Sequence, residues 1–209
     1  MGMDMAINRK FFFDYIRNSL FDGKLNQSQA NGLTLILDAW EPAMSNRDDR
    51  WLAYMLGTTH HETGRTMQPV RETFAQTTAK AINILESAWK AGRLPWVATP
   101  YWRLDANGKS WLGRGLVQLT HKSNYQRIGQ KLGIDLVTEP DAAMNPAVAV
   151  QIMLRGMTDG VFTGKKLSDF FTPGKGDWRN ARKIINQLER ADLVATYARN
   201  YYAAISYTT

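Results

Sequence analysis

Apolar residues recur at helical spacing along almost the whole chain, and this pattern narrows the fold class more than any other feature. Phe12, Ile16 and Leu20 repeat at about 3.6 residues until Asp22-Gly23 breaks the run. Leu33, Ile36, Leu37 and Trp40 mark a second helix, with Pro42 as its expected stop. Ser45 to Asp48 resembles a capping box that opens a third helix. Its expected apolar face is Trp51, Leu52, Met55, Leu56 and Thr59, and Gly64 is its C-terminal stop. Residues 75–92 read as a fourth helix, with Ala79, Ile82, Leu85 and Trp89 on one side, followed by a loop rich in Pro, Gly and Trp over 93–113. Asn145-Pro146 is an N-cap and first-turn pair for a helix carrying Val150, Ile152 and Leu154 to Gly160. Asp177 is expected to cap a helix with Ala181, Ile184, Ile185 and Leu188. A last helix covers 192–205 with Leu193, Tyr197 and Tyr201 inward. Strand candidates are short, such as 115–120. The fold class is mainly α, and 209 residues suit one domain or one domain with a small subdomain.

The chain has no cysteine, which excludes disulfides, thiolate metal ligands and a cysteine nucleophile. Nowhere does an apolar run reach the roughly 18 residues of a membrane span, so stable membrane insertion is not expected. Near the start, Phe11-Phe12-Phe13 is followed at once by Asp14 and Arg17, without the apolar core of a signal peptide. Net charge is +7, which favours polyanions. Nucleic acid, peptidoglycan with its stem-peptide carboxylates, and ordinary solubility all satisfy that charge. No basic helix with base-reading spacing follows, so nucleic acid is not an expected partner. Seven Trp, eight Tyr and eight Phe are a generous aromatic supply, expected mostly in the core, with a few rings free to stack on sugar faces if they line a cleft.

The segment that carries chemistry is His60-His61-Glu62-Thr63-Gly64. Glu62 falls in the last turn of a helix, where the partial negative charge of the helix end disfavours an ionised carboxylate. Burial in a cleft works in the same direction. A glycosidase acid needs that bias, because it must hold a proton near neutral pH. From position alone a solvated carboxylate ending a helix is equally consistent. A zincin motif would need His where Arg65 stands, and the third histidine, His121, is distant in sequence, so no metal site is expected.

An ordered series of motifs extends from that segment. It comprises Pro69-Val70-Arg71-Glu72, the stretch from Gly113 through Gln118 to Thr120, Asn124-Tyr125, Leu132 through Leu136, Asn145-Pro146, Phe162 through Leu167, and Ala181 through Asn186. The series resembles glycoside hydrolase family 19, which holds plant-type chitinases and many phage endolysins. The resemblance covers about residues 50–205. Leu85 through Lys90, Pro95-Trp96 and Pro100 through Arg103 look like the endolysin branch. The resemblance implies a lysozyme-like fold and an inverting mechanism, with Glu62 as general acid, Glu72 as general base and Thr120 holding the attacking water. It also implies sugar-binding roles for Gln118, Asn124 and Asn186. Many relatives have Asn-Gly where this chain has Asn186-Gln187, plant relatives carry disulfides, and their wide loops are absent here.

Together these readings give a lysozyme-like catalytic module over 1–74 and 113–209, with a helical subdomain inserted at 75–112. Trp96, Tyr101 and Trp102 in the insert are expected to grip the glycan. The expected function is an endolysin acting on peptidoglycan strands without a cofactor. It would be a monomer made in the host cytoplasm and released by a membrane-permeabilising partner such as a holin. A chitinase with the same machinery and a non-catalytic wall-binding module are the alternatives.

Overall fold

The computed structural model describes residues 7–44 and 47–206. Among these residues the chain forms seven α-helices: α1 (Arg9–Leu20), α2 (Gln27–Met44), α3 (Asp49–Glu62), α4 (Thr78–Lys90), α5 (Lys122–Leu132), α6 (Pro146–Asp159) and α7 (Ala191–Ile205). Strands β1 (Val70–Arg71) and β2 (Arg114–Gly115) pair antiparallel, as do β3 (Phe171–Thr172) and β4 (Lys175–Gly176). Short 3-10 turns fill several of the connections. No helix among the described residues is long and apolar enough to cross a membrane.

The main core is organised around α3. Every residue from Trp51 to His60 is buried, so the helix has no solvent face over that span and is central rather than amphipathic as the sequence implied. Gly57 permits this packing. A Cβ there would fall 2.7 Å from the Ala198 backbone nitrogen and 2.8 Å from its Cα, so α7 crosses α3 in near-backbone contact. Around this pair, Phe12 and Ile16 of α1, Leu33, Ile36 and Leu37 of α2, and Ile152 and Met153 of α6 join one continuous cluster.

A second, smaller cluster lies apart from it. Ala81 and Leu85 of α4 pack with Trp102 and Leu112, and Ile82, Trp89, Leu94 and Tyr101 cover them. Residues 78–112 thus carry a small core of their own. Arg114, itself buried, ties this cluster to the main body. Its guanidinium donates to the Ser110 and Leu112 carbonyls, the Tyr125 hydroxyl and the Thr78 hydroxyl, and ion-pairs with Asp141 at 2.6 Å.

Several local expectations need correction. α2 runs through Pro42 to Met44, because one lost donor near a helix end does not outweigh the buried face of Leu33, Ile36, Leu37 and Trp40. Ser45 lies outside the described residues, and the cap of α3 is Asp48, whose carboxylate accepts from the Arg50 amide at 3.0 Å. The 115–120 segment is a turn rather than a strand: β2 ends at Gly115, and Leu119 folds back to bridge Arg114. Asp177 accepts from the Asn180 amide at 3.1 Å but is not the N-cap: Arg179 takes that position, and only a 3-10 turn, Asn180–Ile184, follows. There the Thr163 hydroxyl donates to the carbonyls of Lys183 and Ile184, which a continuing helix would have used itself. Leu193 faces solvent, whereas Tyr201 is buried as expected, together with Val194, Ala195 and Ala198 of α7.

Candidate active site

The fold brings both candidate carboxylates to one cleft of about 740 Å³. The loop 96–101 beside the small cluster lines it together with residues from 117–124, 162–163 and 185–187. Glu62 and Glu72 line it together with Gln118, Thr120, Asn124, Asn186, Trp96 and Tyr101.

Glu62 is the last residue of α3. The helix is closed behind it by Thr63, a fully buried residue whose hydroxyl donates to the Thr59 carbonyl at 2.7 Å and accepts from the Met67 amide at 3.1 Å. The Glu62 side chain is 14% exposed, and Arg182, 3% exposed, donates to its Oε1 at 2.6 Å. Arg182 is fixed in turn by its Nε, which donates to the Glu189 carbonyl at 3.0 Å. Oε2 has no protein partner among the described residues. On the preceding turn, burial lowers the pKa of both histidines. For His60 it falls to about 4, and its Nδ1 lies 3.0 Å from the Tyr201 hydroxyl.

Glu72 reaches the cleft because β1 delivers it there. The β1–β2 ladder continues one step past Arg71, where the Glu72 amide donates to the Gly113 carbonyl at 2.8 Å. The Gly113 amide returns a bond to Glu72 Oε2 at 2.8 Å, and the Tyr101 hydroxyl donates to Oε1 at 2.6 Å. Burial, reinforced by the neighbouring Glu72 charge, pushes the Tyr101 hydroxyl well above its ordinary range, so it remains a donor. A surface pairing of Glu72 with Arg71 or Arg65 does not occur: Arg71 binds Asp141 at 2.6 Å and Arg65 binds Asp22 at 2.7 Å. Directly after Glu72 come two non-glycine residues in the left-handed region, Thr73 (φ 64°) and Phe74 (φ 58°). They place the Phe74 ring against Gly64, where a Cβ would lie 3.0 Å from the ring.

The other expected residues divide. Thr120 lines the cleft, and its hydroxyl makes no protein hydrogen bond among the described residues. Asn124 lines the cleft with Oδ1 accepting from Arg127. Gln118 also lines it, but Nε2 donates to the Val70 carbonyl at 3.0 Å, and Oε1 packs where a Cβ on Gly113 would stand, 2.6 Å away. Its amide therefore holds the turn beside Glu72. Asn186 accepts from the Gln187 amide at 2.8 Å and lines the same cleft.

Of the three aromatic residues, Trp96 is 74% exposed at the cleft, while Trp102 is fully buried. Trp102 is therefore not a sugar platform. It fills the small core and donates Nε1 to Glu86 at 3.2 Å. Tyr101 keeps a ring face on the cleft but commits its hydroxyl to Glu72. The sequence reading gave no role to Arg182 or His121. Arg182 lay inside a quoted motif, and no local pattern shows that a residue 120 positions away will meet Glu62. His121 follows Thr120 directly, with φ 66°, and its ring packs on Tyr101 at 4.8 Å.

A family model described as chitinase class I, glycoside hydrolase family 19, matches residues 42–158. Chitinase 6 of Oryza sativa subsp. japonica is 36% identical over 83 residues, 39% of this chain and 28% of that protein. Chitinase 11 of the same plant is 55% identical over 40 residues, 19% of this chain and 16% of that protein. The chain thus spans less than a third of the length of these curated relatives. Among solved structures, a bacterial family 19 chitinase is 26% identical, with a TM-score of 0.56 over 94% of this chain and 95% of that one. Chitinase C from Streptomyces griseus shares the fold at 20% identity, with a TM-score of 0.55 over 100% of this chain and 96% of that one.

Proposed function

Because the chain belongs to glycoside hydrolase family 19, the class I chitinases, we propose that it hydrolyses β-1,4 glycosidic bonds in the glycan strands of bacterial peptidoglycan. The observation that carries this reading is the shared cleft of Glu62 and Glu72, each held by dedicated donors. Glu62 protonates the leaving oxygen. Glu72 draws the proton from a water on the opposite side of the sugar ring, and the water attacks the anomeric carbon. Thr120, with a hydroxyl not spent on the protein, orients that water. Bond cleavage, water addition and proton transfer balance without a cofactor.

Peptidoglycan is favoured over chitin by charge. Chitin is neutral, whereas the stem peptides of peptidoglycan carry carboxylates that suit a chain of net charge +7. The chitin reading is supported by the names of the relatives, which are chitinases. In the endolysin role the protein accumulates in the host cytoplasm and reaches the wall once a holin-like partner opens the membrane. Mass spectrometry of digests tests the substrate. Muropeptide-bearing fragments with new reducing ends are expected from purified walls at a rate exceeding chitin hydrolysis. Release of chitin oligomers alone would make the protein a chitinase, and no cleavage of either would leave a binding module.

A further inference from the structure

Beside the cleft lies a second groove, of about 410 Å³, lined by Arg127, Gln130, Lys131, Asp159, Gly160 and Val161. Two links join it to the cleft. Arg127 lines the groove and donates to the cleft residue Asn124, and Val161 of the groove precedes Phe162 of the cleft. The groove is unequally charged. Asp159 is shared by Lys131 at 3.2 Å and Arg155 at 3.5 Å, so one carboxylate answers two cations. Arg127 has no carboxylate partner among the described residues. Neither does Lys165, an exposed residue whose backbone, not its side chain, packs back on Gly160 of the groove. A Cβ on Gly160 would stand 3.1 Å from the Gly164 carbonyl oxygen and 3.2 Å from that of Lys165.

A polymer of N-acetylglucosamine alone has no branches and no charge. A peptidoglycan strand carries on alternate sugars a lactyl ether that leads into a peptide with free carboxylates. A strand seated along the cleft must send those branches sideways. We propose that this groove receives the stem peptide, with Arg127 and Lys165 binding its carboxylates. The inference rests on the peptidoglycan reading and adds a specificity site to it. Arg127 suits the role because a guanidinium presents paired donors to a carboxylate, and its bond to Asn124 fixes it at the groove's junction with the cleft. Lys165, whose backbone packs on Gly160, supplies a second positive charge on a long stem.

The test measures KM for Lys165→Ala, Arg127→Ala and the wild type on three substrates: strands with intact stems, the same strands stripped by an amidase, and chitohexaose. Both side chains are exposed, so melting temperatures should match the wild type. Loss of either cation should raise KM for stem-bearing strands by up to about fivefold, the equivalent of ~1 kcal/mol for an exposed ion pair. The rise on stripped strands and chitohexaose should be much smaller. Arg127→Ala also loses the Asn124 bond, which would act on all three substrates alike, so Lys165→Ala isolates the charge. Equal effects on stemmed and stripped strands, or no effect on either, would overturn the stem site while leaving the peptidoglycan reading intact. A wild type that cleaves chitohexaose but neither kind of strand would sink that reading and the stem site with it.

Discussion

Glu62 and Arg182 are nearly buried together, and their pairing decides what each substitution does. Glu62→Gln keeps the shape and still accepts from Arg182, so it should abolish turnover while leaving the circular dichroism spectrum unchanged. Arg182→Ala instead removes a nearly buried side chain and leaves Glu62 Oε1 without its donor, which typically costs about 1–3 kcal/mol. A lower melting temperature together with lost activity is expected, and a variant as stable as the wild type would contradict it. His60 gives a pH signature. The unfolded chain protonates it near the ordinary 6.5, but burial holds the folded group to about 4, so unfolding takes up a proton across that interval. Stability from this residue is full above pH 6.5 and is lost as pH falls towards 4. His60→Gln should flatten the fall in melting temperature over that range. Some slope should remain, because His61 is shifted the same way. An unchanged profile would remove His60 as the cause. At this scale the sequence exposed Glu62, Glu72 and Thr120 through their motifs. It hid Arg182 and the Tyr101–Glu72 bond, because long-range pairing leaves no local spacing to read.

At the scale of elements, helices with strong caps were legible. Asn145 accepts from the Ala147 and Val148 amides, and Gly160 ends α6 in the left-handed region, as Asn145-Pro146 and Gly160 had implied. Errors arose where tertiary contacts override local signals: at Pro42, in the 115–120 turn, and after Asp177, where Thr163 takes over helix carbonyls. The buried circumference of α3 was equally hidden, since periodicity finds one apolar face and not a second neighbour. Its contact with α7 gives a test. Gly57→Ala improves intrinsic helix propensity, yet the new methyl would meet the Ala198 backbone. Overpacking should win, lowering stability by about 1–3 kcal/mol in a denaturant melt. A stabilised variant would mean that the two helices have room to separate. In the small cluster, two tryptophans six residues apart should behave oppositely. Trp102→Ala should cost about 3–5 kcal/mol and loosen residues 78–112 in hydrogen exchange. Trp96→Ala should leave stability alone but weaken retention of Glu62→Gln protein on purified walls. Loss of stability from Trp96→Ala would give that ring a packing role instead.

At the scale of the molecule, the cleft runs between two hydrophobic clusters of unequal size, and Arg114 clasps them together beside the β1–β2 ladder that presents Glu72. Glu62, the proposed general acid, ends α3 of the large cluster. The partner carboxylate is held by Tyr101 and Gly113 at the junction with the small one, so the two carboxylates come from independently anchored elements. The proposed inverting route needs room between the two carboxylates, because a water must fit between the second one and the sugar. Proton NMR of the first products formed from a β-linked strand reads the outcome directly. The account predicts that the new reducing end appears as the α anomer and equilibrates only later. A β anomer as first product would contradict it, making Glu72 a nucleophile or moving the second carboxylate elsewhere.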